Sequence, residues 1–255
     1  MRKPFALWIA LGALAMVPLA AGARSEGEAP HWSYSGDTGP ARWGNLEPDY
    51  ATCGVGTRQS PIDIRDATPA KLPPIEFDYK PVPLTVVDTG HSMQVNAPAG
   101  SGGITVGADH YDLVQVHFHY PSEERIAGKR YALVAHLVHK NAQGELAVVA
   151  VLIRNGNENA LLRQVFDNFP PPGEKEHSVP GATLDFTQLL PRNRGYYTFE
   201  GSLTTPPCSE HVRWLVLKRQ MQASRGQIVQ FAGRYPNNAR PTQPTNGRKL
   251  EQTQD

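Results

Sequence analysis

Three histidines lie in two segments whose sequences alternate in the way that β-strands do. LVQVHFHY contains His117 and His119, and YALVAHLVHK contains His136. Residues two apart on a strand point to the same face, so His117 and His119 point together. His136 shares its face with Val134 and Val138. If the two strands are neighbours, three imidazoles converge on one side of a sheet.

The other face of the first segment is apolar, which predicts that it packs against a core and fixes the register of the strand. The alternation assigns residues 114, 116, 118 and 120 to this core face: Val114, Val116, Phe118 and Tyr120. It assigns Leu113 and Gln115 to the face of the imidazoles.

Three neutral imidazoles would leave one open position on a tetrahedral zinc ion, which is the arrangement of a catalytic rather than a structural site. A single histidine on a strand is more often a hydrogen-bonded, partly buried residue without a metal. The spacing alone is therefore suggestive, and the neighbouring sequence has to decide.

The first residues predict an export signal. Arg2 and Lys3 precede an apolar run at residues 5–17, and Ala21-Gly22-Ala23 provides small residues for cleavage. Cleavage after Ala23 would divide the chain into a signal peptide, residues 1–23, and a mature protein, residues 24–255. A membrane anchor is the alternative, but the run is short for a transmembrane helix, and no later stretch is apolar enough to span a bilayer.

Cys53 and Cys208 are the two cysteines of the chain. An even count in an exported protein favours one disulfide, and two free buried thiols are the alternative. The signal favours a periplasmic or secreted location. The net charge of +1 provides no electrostatic footprint for nucleic acid.

The rest of the chain predicts many short strands joined by turns, because 23 prolines and 23 glycines are spread along it. The length fits one large all-β domain or two small ones, and no linker divides the chain. Residues 145–153 are almost entirely apolar, as in a central strand buried on both faces. The tail after Arg248 is polar and is expected to fray. The predicted strands are residues 75–79, 84–88, 92–96, 103–106, 113–120, 131–140, 145–154, 196–199 and 212–217, and the predicted helices are residues 157–166 and a segment near 224–231.

A set of motifs in order along the chain resembles the α-class carbonic anhydrases, specifically the exported bacterial ones, from His31 to about Arg248. The motifs are HWSYSG, RQSPIDI, DTGHSMQVN, LVQVHFHYPSE, HLVHK, LAVVAVLI, YYTFEGSLTTPPC and NNARPTQPTNGR. The resemblance implies a mostly β, single-domain fold with short peripheral helices around a large twisted, mainly antiparallel sheet.

The implied activity is the zinc-dependent, reversible hydration of carbon dioxide to bicarbonate and a proton. It proceeds through attack by a zinc-bound hydroxide and includes a histidine proton shuttle. Weak esterase activity and inhibition by sulfonamides and anions are expected, without a nucleic-acid partner or a membrane span after signal removal. Dimers are common among such relatives, although no interface is evident in this sequence. A hydrolase of esters is a rival assignment, which competition between substrates would separate.

The resemblance also implies residue roles. His117, His119 and His136 would bind zinc, with Gln115 as the partner of His117. Thr204 would orient the hydroxide and donate to Glu123, and His91 would carry the proton. The substrate pocket would contain Val138, Val148, Leu203, Thr204, Thr205 and Trp214, and the water network would contain Tyr34, Thr89 and Gln94.

Three departures from the family pattern concern the surroundings of the metal. Val134 stands where a Glu commonly supports His136, Glu124 replaces a His, and Phe199 replaces a frequent Tyr. Valine cannot accept a hydrogen bond, so His136 needs another acceptor, for which water is one candidate. These changes predict weaker zinc binding, tightened by Val134→Glu. The alternative function is a zinc-binding module with weak or no hydratase activity.

Overall fold

The computed structural model describes residues 31–254, so the predicted export signal, residues 1–23, lies outside the described residues. Sixteen strands and three α-helices form within residues 31–254. The strands are β1 (Asp63–Ile64), β2 (Thr68–Ala70), β3 (Ile75–Phe77), β4 (Val82–Asp88), β5 (Met93–Asn96), β6 (Gly103–Val106), β7 (Asp109–His119), β8 (Arg125–Ile126), β9 (Lys129–Arg130), β10 (Leu133–Lys140), β11 (Leu146–Asn155), β12 (Glu176–Leu184), β13 (Tyr196–Ser202), β14 (Glu210–Leu217), β15 (Met221–Ala223) and β16 (Glu251–Thr253). The α-helices are α1 (Thr52–Val55), α2 (Ala160–Phe166) and α3 (Arg225–Arg234), and four short 3₁₀ helices are Gly36–Thr38, Trp43–Asn45, Pro48–Tyr50 and Phe186–Leu189.

One large sheet dominates the fold. Its strand order is β12-β4-β5-β7-β10-β11-β14-β13-β16-β2, with β15 beside β11 and with β6 joining β3 to β7. Most neighbours are antiparallel, but β11 runs parallel to β14 and β15, and β16 runs parallel to β2. Strands β1, β8 and β9 form a separate three-stranded sheet, which packs through Ile64 and Ile126 in the smaller hydrophobic cluster. The predicted mainly antiparallel architecture is confirmed.

The predicted central strand is β11, and it lies inside the large sheet between β10 and β14. Seven consecutive residues of β11 are buried, because hydrophobic clusters cover both faces of the sheet. The larger cluster contains Val116 and Phe118 of β7 together with the apolar sides of α2 and α3. The smaller cluster covers the face that carries the histidines.

The alternation predicted for the start of β7 is wrong at Val114. A β-bulge shifts the register, so that Gln115 pairs with Val138 but Leu113 pairs with His139. A bulge places two residues opposite one and reverses the face of those before it. Leu113 is therefore packed in the larger hydrophobic cluster, and Val114 is 40% exposed.

The polar tail does not fray as predicted. Residues Glu251–Thr253 form β16, which pairs antiparallel with β13 and parallel with β2. The Thr253 hydroxyl also accepts a hydrogen bond from the Tyr196 backbone N–H. These bonds satisfy polar groups at the margin of the sheet, which a hydrophobicity pattern does not detect.

A disulfide joins Cys53 to Cys208 across 155 residues of sequence, with the two Cα atoms 5.0 Å apart. It packs beside Trp43 in a third cluster that includes Trp32 and Tyr34. The predicted pairing is confirmed. The bond ties α1 to the loop that follows β13.

Among residues 31–254, no helix is both long and apolar enough to cross a bilayer.

Candidate metal centre

The register of the large sheet brings the three histidines together. His117 on β7 lies directly opposite His136 on β10, and His119 lies two residues further along β7. The same lateral row continues to Gln94 on β5. His119 and His136 are each 1% exposed, whereas His117 is partly buried. The two predicted strands are therefore neighbours, and the imidazoles share one face.

Each ring is held through one of its nitrogens by a hydrogen-bond acceptor. His117 Nδ1 donates to Gln115 Oε1 at 2.8 Å, as the resemblance implied. His119 Nδ1 donates to the backbone oxygen of Asn238 at 2.7 Å. His136 Nε2 donates to Glu124 Oε1 at 3.0 Å. An acceptor on one nitrogen fixes the tautomer and leaves the lone pair on the other.

The remaining nitrogens are Nε2 of His117, Nε2 of His119 and Nδ1 of His136. One potential ligand atom from each of the three residues lies within 4.8 Å of the other two. The buried Nε2 of His119 has no hydrogen-bond partner among the described residues. Three convergent imidazole lone pairs, one of them buried and unpaired, fit a zinc ion.

The electrostatics keep two of the rings neutral, which is the form that binds a metal. Burial, together with neighbouring His136, lowers the pKa of His117 and of His119 well below the usual value. Burial also disfavours a charged His136, but the carboxylates of Glu124 and Glu123 outweigh it and raise the pKa of His136.

Glu123 is fully buried. Its Oε1 accepts the backbone N–H of Arg240 at 2.8 Å, and its Oε2 lies 3.5 Å from His119 Nε2. Burial raises the pKa of Glu123 to about 7; His136 lowers it, and Glu124 raises it. The buried Thr204 hydroxyl lies near enough to lower it as well.

The acceptor for His136 is a carboxylate rather than water. Glu124 is 0% exposed, and its oxygen occupies the ring nitrogen that Val134 cannot serve. Val134 is itself 0% exposed and packs in the smaller hydrophobic cluster. The sequence left this acceptor open, with water as one candidate, and the structure gives Glu124 in its place. A residue after the end of β7 supplies what the strand position does not.

A second lateral row forms an apolar wall beside the histidines. Val138 on β10 pairs with Val148 on β11, which pairs with Trp214 on β14. The Trp214 ring meets the His136 ring edge-on, with centroids 5.0 Å apart. Trp214 also stacks on Phe199 at 6.0 Å. Leu203 and Thr205 are partly buried in the loop after β13, on either side of Thr204.

His91 lies in the turn between β4 and β5 and is partly buried. Its ring stacks on Trp32 with centroids 3.4 Å apart, and on His31 at 4.6 Å. Burial lowers the pKa of His91 to about 4; His31 lowers it and Asp88 raises it. A simple exposed turn residue would not be stacked in this way.

The three residues expected to line a water network have different surroundings. The Tyr34 hydroxyl is buried without a partner among the described residues, and burial raises its pKa. Gln94 lies in the row of His117 and donates to Asn96 Oδ1 at 2.6 Å. The Thr89 hydroxyl is bonded within its own turn, to the backbone of Ser92.

Sequence reasoning missed Asn238, Arg240 and Trp32 as contributors to this site. Asn238 and Arg240 act on His119 and Glu123 through a backbone carbonyl and a backbone N–H. Any residue type carries those groups, so only the terminal motif NNARPTQPTNGR marked the segment. Trp32 lies in the first motif but carried no assigned role.

Comparison with known proteins agrees with this geometry. The family model "Eukaryotic-type carbonic anhydrase" matches residues 38–254. A carbonic anhydrase of Klebsiella pneumoniae is 40% identical over 241 residues, which cover 94% of this chain and 95% of that protein.

Two solved structures show the same fold. The α-carbonic anhydrase of Thermovibrio ammonificans, in complex with the inhibitor sulfanilamide, is 42% identical with a TM-score of 0.82 and covers 88% of this chain and 99% of that chain. The α-carbonic anhydrase of Photobacterium profundum is 41% identical with a TM-score of 0.81 and covers 88% of this chain and 100% of that chain. Sequence, fold and site geometry agree, and the chain belongs to the α-class, eukaryotic-type carbonic anhydrases, the enzymes that hydrate carbon dioxide.

Proposed function

We propose that this protein hydrates carbon dioxide with a zinc ion held by His117, His119 and His136. The observation that carries the proposal is that each ring is held through one nitrogen and that one potential ligand atom from each of the three residues lies within 4.8 Å of the other two. A bound zinc ion supplies a Lewis acid that lowers the pKa of a water from about 15.7 to about 7, the value established for carbonic anhydrases.

Thr204 and Glu123 would orient the attacking oxygen. Glu123 is fixed by the Arg240 backbone N–H, so its carboxyl group has one preferred position. A hydroxyl that donates to this carboxyl keeps its lone pairs free to accept, which imposes one orientation on a neighbouring donor. The Thr204 backbone would in addition hold an anion, and we expect sulfonamides to inhibit the protein.

The apolar wall would receive carbon dioxide. Val138, Val148 and Trp214 are each at most 8% exposed and form a single row beside His136. Carbon dioxide offers no strong hydrogen-bonding group, so an apolar surface next to the reacting oxygen suffices to place it. Leu203 and Thr205 would complete the pocket from the loop after β13.

His91 would pass the product proton to solvent. Its imidazole is only partly buried; the Tyr34 ring lies 6.3 Å from it, and Gln94 lies opposite His117, and both would belong to the proposed water network. With a pKa of about 4 in its stacked position, the ring would be a weak proton acceptor near pH 7. Proton release is therefore expected to limit turnover unless an external buffer accepts the proton.

We also propose an exported protein whose mature chain is residues 24–255, in the periplasm or secreted. The signal-like sequence of residues 1–23 supports this location, and so does the disulfide between Cys53 and Cys208, because such bonds persist in oxidising compartments. Expression of the full-length gene followed by mass spectrometry of the extracted protein would test the cleavage after Ala23.

The experiment that tests the proposed function measures zinc content and carbon dioxide hydration on one preparation of the mature protein, with and without a sulfonamide. We expect about one zinc per chain and sulfonamide-sensitive hydration. The matched control is His139→Gln, a buried histidine of β10 outside the cluster, which should keep both zinc and activity. His119→Gln should lose both.

Zinc at one equivalent without hydration would reject the enzyme and favour the zinc-binding module. Failure to bind zinc even when it is added to the purified protein would reject the three-histidine site itself.

A further inference from the structure

The carboxylate that accepts the hydrogen bond of His136 comes from Glu124, not from position 134, where this protein has a valine. The family resemblance assigns the support of this ring to a carboxylate at position 134, two residues before it on the same strand. In this protein that position is a valine, and the carboxylate arrives from the segment after β7 instead. We propose that Glu124 is the positioning residue that orients His136 for metal binding, an inference that rests on the proposed function.

The hydrogen bond has the geometry that this role requires. His136 Nε2 donates to Glu124 Oε1 at 3.0 Å, and both side chains are at most 1% exposed. Without competing water, a single charge-assisted bond is strong and restricts the ring to one orientation. With Nε2 engaged, only Nδ1 can face the other two histidines.

The segment that carries Glu124 is itself fixed. The Ser122 hydroxyl donates to the Glu124 backbone oxygen at 2.9 Å and accepts the Tyr131 backbone N–H at 2.9 Å. The next residue, Arg125, belongs to β8 and pairs with Asp63 of β1. Glu124 is therefore held by a second sheet, and its carboxylate does not depend on a flexible loop.

Position 134 needs no carboxylate in this protein, because Glu124 already accepts the hydrogen bond of His136. The Val134 side chain is fully buried opposite His119 and packs with the smaller hydrophobic cluster. His136 Nε2 carries one hydrogen, which one carboxylate satisfies. Glu124 Oε2 already lacks a partner among the described residues, so a further carboxylate at 134 would be buried and unpaired.

This arrangement reverses the expectation drawn from sequence for Val134→Glu. Instead of tightening zinc binding, the single substitution should lower the stability of the metal-free protein, because it buries a third carboxylate next to Glu123 and Glu124. The same substitution should become favourable when Glu124 is replaced, because His136 then has an unused donor. The two positions are thus expected to be coupled.

The test measures the rate at which zinc passes from the purified holoprotein to an excess of chelator. Glu124→Leu should accelerate zinc loss about 10–100-fold, the usual effect of removing a partner of a metal-bound histidine. Glu124→Gln keeps an oxygen acceptor at the same place and should stay within about tenfold of the original protein. The double variant Glu124→His with Val134→Glu should recover most of the loss.

Two further readouts separate positioning from general support of the fold. Tyr79→Phe is the matched control, because the Tyr79 hydroxyl is hydrogen-bonded at 2.8 Å to His139, which lies on β10 like His136. This variant should lower the unfolding midpoint without changing the rate of zinc loss. The visible spectrum of the cobalt-substituted protein should change with Glu124→Leu and not with Tyr79→Phe, because it reports ligand geometry. Unfolding of each metal-free variant identifies any that fail to fold.

Unchanged zinc loss and an unchanged cobalt spectrum in Glu124→Leu would overturn the inference while leaving the proposed function intact. Equal acceleration of zinc loss in Glu124→Gln and Glu124→Leu would also overturn it, since an oxygen acceptor at position 124 would then not matter for zinc retention. If Glu124→Leu does not fold, the double variant Glu124→His with Val134→Glu serves as the test. Zinc loss from it as fast as from His136→Gln would contradict the proposal that a carboxylate must support His136. A parent protein that binds no zinc would refute both proposals.

Discussion

The disulfide between Cys53 and Cys208 offers the most quantitative test of how this fold is stabilised. The bond closes 155 residues of chain, more than half of the described protein. In the chain-entropy model, a loop of that length removes about 5 kcal/mol of conformational freedom from the unfolded state at 25 °C. The double variant Cys53→Ala, Cys208→Ala should therefore lose about 5 kcal/mol of unfolding free energy, less any strain released.

Guanidinium unfolding followed by tryptophan fluorescence is the suitable assay, because Trp32 and Trp43 pack in the same cluster as the disulfide. Linear extrapolation gives the unfolding free energy, and the melting temperature should fall by about 10–20 °C for a domain of this size. The original protein under reducing conditions is the control, since it breaks the bond without changing the sequence.

A loss below about 1 kcal/mol in both preparations would refute the entropic argument, because closure of so long a loop cannot cost so little unless the unfolded chain is already compact. A large loss in the double variant with none on reduction would point instead to the packing of the two sulfur atoms beside Trp43. Only a similar loss in both supports the cross-link itself.

The titration of His139 should reduce stability in acid. Burial lowers the pKa of its ring from 6.5 to about 3, so the folded protein resists protonation of this ring. The contribution of His139 to the unfolding free energy is therefore complete above pH 6.5, and it falls by about 1.4 kcal/mol per pH unit between pH 6.5 and pH 3. Urea unfolding at pH values from 7 to 5 should show that the unfolding free energy of His139→Gln falls less steeply with decreasing pH than that of the original protein. The same dependence on pH in both proteins would show that His139 does not have this low pKa. His91→Ala should slow hydration in weak buffer, and added imidazole should restore the rate. Buffer should also accelerate the original protein at pH 7, because its His91 has a low pKa. A rate that does not depend on buffer would exclude a limiting proton transfer at His91. Val148→Trp should occupy the space in front of the apolar wall and lower kcat/KM about 10–100-fold at unchanged zinc content. An unaltered kcat/KM would mean that carbon dioxide does not bind against this wall.

The sheet was predictable wherever burial imposes a regular pattern. Strands β6, β7, β10, β11 and β14 were each anticipated within a few residues, because apolar side chains repeat along them. β12 was missed: its residues are mostly exposed, and it lies at the edge of the large sheet. A strand stabilised by backbone bonds at an edge carries little hydrophobic signal.

The failure at Val114 has a different cause. Leu113, Val114 and Val116 are all apolar, so the sequence fits two registers equally well. The bulge opposite Val138 and His139 chooses between them through backbone geometry in a neighbouring strand. Such a choice depends on contacts between distant residues and does not appear in the periodicity of a single segment.

The site shows the same division. The alternation predicted that His117 and His119 share a face, and the convergence with His136 follows from strand pairing. The acceptor of His136 could not be assigned from the sequence, because the hydrogen-bond partners of side chains are set by proximity in space. Glu124 is 12 residues away along the chain, yet its carboxylate lies 3.0 Å from the ring.

Asn238 links parts of the molecule that the proposed reaction uses at different moments. Its carbonyl holds His119, its side-chain oxygen accepts the Tyr120 backbone N–H, and its side-chain nitrogen donates to the backbone oxygens of His91 and Phe118. A substitution there would keep the backbone carbonyl that holds His119 but lose the side-chain bonds to Tyr120, Phe118 and His91. Because those bonds set where the carbonyl lies, selection on metal retention and selection on proton export both act on this one side chain.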